Sequence, residues 1–229
     1  MKGNKTFLAI IPARGGSKRL PRKNVLDLAG KPLIAWTIDA AKGSKYIDKI
    51  IVTSDDDEIL QISNDLSVDT IRRPDELAND TATTVAVTEH TINNLNDSYD
   101  FLIILQPTSP LRTFKHIDDA IELLFKKKAD AIVSVSETEH SPLWSNTLSD
   151  NKSMEGFIPK VALNMRSQDL PKYFRLNGAI YICDVCKFKQ YQSLLIDKNI
   201  YAYEMASEDS IDIDTQIDFD LAEIQLSKK

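Results

Sequence analysis

The chain has 229 residues, 42% of them hydrophobic and 27% charged, enough for one sizeable core and far from disordered or fibrous compositions. A net charge of −6 argues against general affinity for nucleic acid or anionic membrane, so any anion must be held by a local feature. The apolar run Phe7 to Ile11 is too short for a signal-peptide core and no stretch approaches a membrane span, so a cytoplasmic protein of one domain is expected.

Short β-branched runs alternate with helix-length amphipathic stretches over the first 135 residues, which predicts βαβ units and a parallel sheet. Phe7 to Ile11 reads as the first strand. A polar, glycine-containing loop follows, then a helix with Pro32 in its first turn, running through Ala41 and stopped at Gly43. Lys49 to Thr53 is the second strand. Asp55 to Asn64 is helical, with acidic residues in the first turn where the helix dipole favours them. Val68 to Ile71 is a short strand, Thr81 to Leu95 a helix capped at Asp80 or Thr81, and Phe101 to Leu105 a strand buried on both faces. Phe114 to Lys128 is helical and Ala131 to Val135 extended. From about 137 to 175 the rhythm breaks around Pro142, Pro159 and Pro171, which predicts an inserted arm. Asn177 to Ile182 returns as a strand, and a helix from about Gln216 closes the chain. Cys183 and Cys186 form one C-x-x-C. Zinc would require two more spaced ligands, and His90, His116 and His140 lie far apart in sequence, so reduced thiols are expected.

The segment after the first strand, P-A-R-G-G-S-K-R-L-P-R-K-N, places five cations between Arg14 and Lys23 in an acidic chain. Gly15 and Gly16 let the backbone approach a ligand and turn N–H groups toward an anion, and the cations supply charge for phosphate oxygens. Neither the Walker A spacing nor G-x-G-x-x-G is present. A solvated basic loop is the alternative on composition. Position at the carboxyl end of a parallel strand favours a ligand site. In S-I-D-I-D-T, an extended backbone points Asp212 and Asp214 to one side while Ile211 and Ile213 pack inward. Such a pair suits Mg²⁺ that keeps its other positions for water and substrate phosphate. Alone, the segment reads rather as an edge strand with two exposed acids; the cationic loop elsewhere in the chain reverses that preference. Gln106, in L-Q-P-T-S-P-L-R, offers donor and acceptor at another strand's carboxyl end.

These segments, with R-P-D-E-L-A-N-D-T-A-T-T and Q-D-L-P-K-Y-F-R-L-N-G-A-I-Y-I, occur in an order that resembles the acylneuraminate cytidylyltransferases, and they cover essentially the whole chain. The resemblance implies a three-layer Rossmann-like, mostly parallel α/β sheet of the nucleotidyltransferase type, coupling CMP from CTP to a nine-carbon 2-keto-3-deoxy acidic sugar. It implies that Arg14, Gly15, Ser17, Lys18, Lys23 and Asn24 bind the CTP phosphates and ribose, and that Arg73, Ala82 and Thr84 form the cytosine pocket. Gln106 and Tyr181 would face the sugar, Asp212 and Asp214 would hold Mg²⁺, and Arg14 and Lys23 would act with them in catalysis. The family is usually a homodimer whose arm crosses to the neighbouring site. Sialate-using members generally place an arginine immediately before the Gln of Q-D-L-P to receive the sugar carboxylate. Here that position is Ser167, leaving Arg166 or Arg175 for the role. The alternatives are a CMP-Kdo synthetase, a non-catalytic nucleotide sensor, or a nucleic-acid-binding module. With no fused hydrolase-length extension read after residue 229, only the transferase function is expected.

Overall fold

A computed structural model describes residues 5–79 and 81–228. Its centre is a seven-stranded sheet in the order β5-β4-β1-β6-β8-β7-β9. The strands are β1 (Phe7–Pro12), β4 (Lys49–Ser54), β5 (Asp69–Arg72), β6 (Phe101–Ile104), β7 (Ala131–Glu137), β8 (Phe174–Asp184) and β9 (Ile200–Glu204); β2 (Asp27–Leu28) and β3 (Lys31–Pro32) form a separate small hairpin. All strands of the large sheet run parallel except β8, which is antiparallel to both β6 and β7.

Alternation along each strand divides the core into two layers. Phe7, Ala9 and Ile11 of β1 face one cluster with Ile34 and Ile38 of α1 (Leu33–Gly43) and with Ile117, Ile121 and Leu124 of α4 (Phe114–Lys127). Ile59 of α2 (Asp57–Asp65) joins the same layer. Leu8 and Ile10 face the other cluster, where Val85 and Ile92 of α3 (Thr84–Asn93) and Phe188 of α5 (Val185–Tyr191) cover the sheet. Strands buried on both faces need near-continuous apolar sequence, and F-L-A-I-I and F-L-I-I-L supply it. Helix α6 (Gln216–Leu226) packs Phe219 and Ala222 against Leu28 and Leu33.

Several boundaries differ from the sequence expectation, each for a local reason. Helix α2 starts two residues late because Asp56 is its cap, accepting the N–H groups of Glu58 and Ile59. Helix α3 starts at Thr84 because Thr83, rather than Thr81, caps it; the Asn79 side chain ties up the N–H groups of Thr81 and Ala82 in a turn, and Asp80 lies outside the described residues. Pro32 precedes α1 instead of entering it. The expected strand at 131–135 is parallel, but β8 is inserted between it and β6. Helix α5, β9 and the β2–β3 hairpin were not anticipated. Cys183 is buried and Cys186 exposed, both free thiols, and burial pushes the Cys183 pKa up to about 12.

The sheet has a switch point at β1: the chain moves from β1 to β4 and β5 on one side, then returns to β6 on the other. In open α/β sheets, ligands settle in the crevice that such a reversal leaves beyond the carboxyl ends.

Candidate active site

A cleft of about 420 Å³ opens at that point. Its first wall is the basic loop after β1. Arg14, Lys23 and Asn24 line the cleft. Asn24 is buried; its Nδ2 donates to the Arg14 carbonyl at 2.9 Å, and its Oδ1 finds no partner among the described residues. An acceptor left open in a cleft wall is suited to a ligand hydroxyl. Lys23 Nζ donates to the Ile213 carbonyl at 2.6 Å and to Asp214 Oδ1 at 3.1 Å, so the first loop is stapled to the last.

Gly15 also makes a close approach within the protein itself. Its N–H is given to Asp55 Oδ1 at 3.1 Å, and a Cβ there would lie 2.6 Å from Asp56 Oδ2 and 2.8 Å from Asp56 Cβ. The absent side chain lets the loop pass over the cap of α2, which also holds Arg22 at 2.9 Å. Gly15→Ala should therefore displace the loop or break the cap, lowering the thermal midpoint by about 2–6 °C for a loss of about 1–2 kcal/mol. A melting curve tests this, and an unchanged midpoint would show that the loop has slack. Ser17 and Lys18 lie on the same loop and do not line the cleft.

The second wall follows β5. Arg73 is buried, donating NH2 to the Thr53 carbonyl at 2.7 Å and NH1 to the Leu77 carbonyl at 3.2 Å. Burial pulls its pKa down, Asp55 opposes that, and nearby Arg14 adds repulsion. Ala82 and Thr84, at the start of α3, face the same space with Asn79 and Val87.

The floor and far wall come from Gln106, Pro107 and Thr108 after β6 and from Gly178 and Tyr181 of β8. Arg112, only 1% exposed, donates NH1 at 3.0 Å to the carbonyls of both Gln106 and Ala179, bracing these two segments against each other. Burial pulls its pKa down to about 9, and it stays charged at neutral pH. Opposite Ser134 of β7, β8 bulges: the register passes from Val133↔Tyr181 to Val135↔Leu176, with Gly178 at φ +77°. Side chains fill the gap in the ladder. Asn177 Oδ1 accepts from Ser134 Oγ at 2.6 Å and from the Ala179 N–H at 3.2 Å, while Asn177 Nδ2 donates to Ser210 Oγ at 3.0 Å. The bulge is thus tied to the segment that carries the carboxylates.

That segment, 211–214, is not a regular strand, yet Ile213 is fully buried and Asp212 and Asp214 both line the cleft. The Ile213 N–H donates to the Thr108 carbonyl at 2.8 Å, one strand-like bond that keeps it extended. Solvent reaches Asp212 through the cleft mouth while the walls crowd it. Burial raises its pKa, the Thr108 hydroxyl bond lowers it, Asp214 raises it, and Lys23 and Arg175 lower it. Among the described residues no group of three or more His, Cys, Asp or Glu is placed to hold a metal ion. Two facing carboxylates instead fit a cation that takes its remaining oxygens from water and phosphate, as Mg²⁺ does.

Of the two arginines considered for a sugar carboxylate, neither lines the cleft. Arg175 stands near enough to influence Asp212. Arg166 is exposed on the 137–175 segment, paired with Asp169 at 2.9 Å. The sequence reading did not pick out Asn79, Val87, Thr108 or Gly178. Gly178 carries a usable signal, since a glycine inside a strand pattern marks a bulge or close approach.

Comparison with known proteins agrees with this architecture. The solved structure of CMP:2-keto-3-deoxy-manno-octonic acid synthetase complexed with CTP superposes with a TM-score of 0.74 at 17% identity, covering 97% of this chain and 99% of that one, a likeness of fold. The N-acylneuraminate cytidylyltransferase of Streptococcus agalactiae serotype V is 40% identical over 93% of this chain and 51% of its own length. The chain thus spans about half the length of that relative. The CMP-N,N'-diacetyllegionaminic acid synthase of Legionella pneumophila is 36% identical over 95% of this chain and 94% of its own length. The family model described as Cytidylyltransferase matches residues 8–227, nearly the whole of the sheet and cleft, and the chain belongs to that family.

Proposed function

We propose that this chain is a nucleotidyltransferase that couples CMP from CTP to a nine-carbon 2-keto-3-deoxy acidic sugar and releases pyrophosphate. The observation that carries the reading is the meeting, in one cleft, of Arg14 and Lys23 with Asp212 and Asp214, at the switch point of a cytidylyltransferase fold. The names of the relatives, which include N-acylneuraminate and diacetyllegionaminate enzymes, support the sugar class.

In this reading Arg14 and Lys23 receive triphosphate oxygens, with Ser17 and Lys18 at the outer limb of the loop and Asn24 Oδ1 accepting from the ribose. The cytosine lies against Arg73, Ala82 and Thr84, and Gln106 and Tyr181 orient the sugar. Asp212 and Asp214 hold Mg²⁺, which when bound supplies charge stabilisation on the phosphate oxygens. The anomeric hydroxyl forms a bond to the α-phosphorus as the bond to the β-phosphate bridge breaks, the proton leaves to solvent or to an aspartate of the pair, and the cations meet the charge growing on pyrophosphate. No covalent enzyme intermediate is required.

The same proposal treats the chain as one cytidylyltransferase domain working in the cytoplasm as a homodimer. The 137–175 segment supports the dimer: Leu148, Met154, Val161 and Leu163 are exposed, an apolar set that a second copy would cover while bringing Arg166 toward the partner's cleft. No helix of the described residues is long and apolar enough to cross a membrane.

Pyrophosphate release from CTP and Mg²⁺, measured with N-acetylneuraminate, legionaminate, pseudaminate and Kdo in turn, tests the reading. Release is expected with one of the nine-carbon acids and not with Kdo. Silence with every sugar, from protein that still binds CTP, would instead favour a nucleotide sensor.

A further inference from the structure

Asp212 and Asp214 are not equivalent. Asp214 has both oxygens engaged by cations, Oδ1 by Lys23 at 3.1 Å and Oδ2 by the Arg19 guanidinium at 2.8 Å. Asp212 faces the cleft with the Thr108 hydroxyl as its hydrogen-bond partner. The two cations on Asp214 also differ. The Lys23 side chain is 13% exposed and anchored to the Ile213 carbonyl, so it is fixed in place. The Arg19 side chain is 68% exposed; it hydrogen-bonds Asp214 and otherwise acts on Asp218 only through its charge. A divalent cation drawing on Asp214 must therefore displace a positive group, and Arg19 is the one free to swing.

Resting on the reading that this carboxylate pair holds the metal, we propose that Arg19 is a gate on Asp214. In the nucleotide-free chain it occupies the second carboxylate oxygen and keeps metal binding weak. When metal and CTP arrive together, the guanidinium leaves Asp214 and takes a triphosphate oxygen, for which its planar donors are well shaped. The exchange couples the two ligands, and by linkage the coupling factor must be the same in both directions.

The experiment is a titration of nucleotide-free protein with Mn²⁺, followed by the resonance of the free ion, on wild type, Arg19→Gln, Arg22→Gln and the double variant Asp212→Asn/Asp214→Asn. Arg22 belongs to the same loop and is similarly exposed, but pairs with Asp56 and Glu58, away from the carboxylate pair. Arg19→Gln is expected to bind Mn²⁺ about two- to fivefold tighter, the range an exposed ion pair supplies, with Arg22→Gln unchanged. The enhancement of Mn²⁺ affinity by CTP should shrink in Arg19→Gln. Equal Mn²⁺ affinity in Arg19→Gln and wild type would overturn the gate, as would the same tightening in Arg22→Gln, which would mean bulk charge alone. Undiminished Mn²⁺ binding by the double variant would remove the metal site itself, a failure distinguishable from that of the gate.

Discussion

Asp212→Asn is expected to lower turnover with CTP and acidic sugar by about two to four orders of magnitude, while slightly raising the thermal midpoint of the metal-free protein. The first effect follows from removing one of the two carboxylates proposed to hold the metal, with no third acidic ligand grouped with them among the described residues, at a step where charge stabilisation is worth several kcal/mol. The second has the opposite sign because of the Asp212 environment. Burial raises its folded pKa above the ordinary value of 3.8, so the folded chain holds that proton more tightly than the unfolded chain does. Stability is therefore lost as pH rises from the ordinary value through the raised one, and the whole penalty is present at neutral pH. Asparagine abolishes it. Solvent at the cleft mouth screens the charge, so the gain should be only about 1–2 °C. Steady-state turnover in Mg²⁺ and melting curves in chelator read the two effects. Turnover within tenfold of wild type would sink the assignment of Asp212, and a fall in the chelated midpoint would show that Asp212 contributes to the fold.

Asn177→Ala should be the most damaging single change to the fold outside the apolar core. Asn177 is 1% exposed and engages Ser134, the Ala179 N–H and Ser210, all buried. Alanine strands these groups where water enters poorly, and an unsatisfied buried polar group costs about 1–3 kcal/mol. With partial relaxation the total should be about 2–5 kcal/mol, lowering the midpoint by roughly 5–15 °C. Because the Nδ2 bond fixes Ser210, the surviving protein should also bind the proposed metal less well. Asn177→Asp keeps the acceptor but loses the donor and buries a charge, so it should rescue neither property. A midpoint within about 2 °C of wild type for Asn177→Ala would mean that the bulge is held by its backbone alone.

Much of this was legible in sequence where the signal is local. The cationic loop could be assigned to a strand's carboxyl end because F-L-A-I-I precedes it directly. The i, i+2 spacing of Asp212 and Asp214 predicts two carboxylates on one side, and they line one cleft although no strand forms, because a single bond from Ile213 to Thr108 keeps the backbone extended. What escaped depends on distant partners. Nothing near Phe174 says that β8 will run antiparallel between β6 and β7, since that placement is set by pairing with residues far away in the chain. Gly15 was legible as a close approach, but not which atoms it approaches, because Asp56 is brought there by the βα crossover. Arg166 could be singled out by motif, yet its own chain leaves it outside the cleft.

The Lys23 staple to Ile213 also has a consequence for how the protein is made. It joins residues 190 positions apart, so at ribosomal rates of about 5–20 residues per second the basic loop emerges roughly 10–40 seconds before the carboxylates that complete its site. On the proposed reading, a nascent chain carries only the cationic half of the site until residues 212–214 have been added.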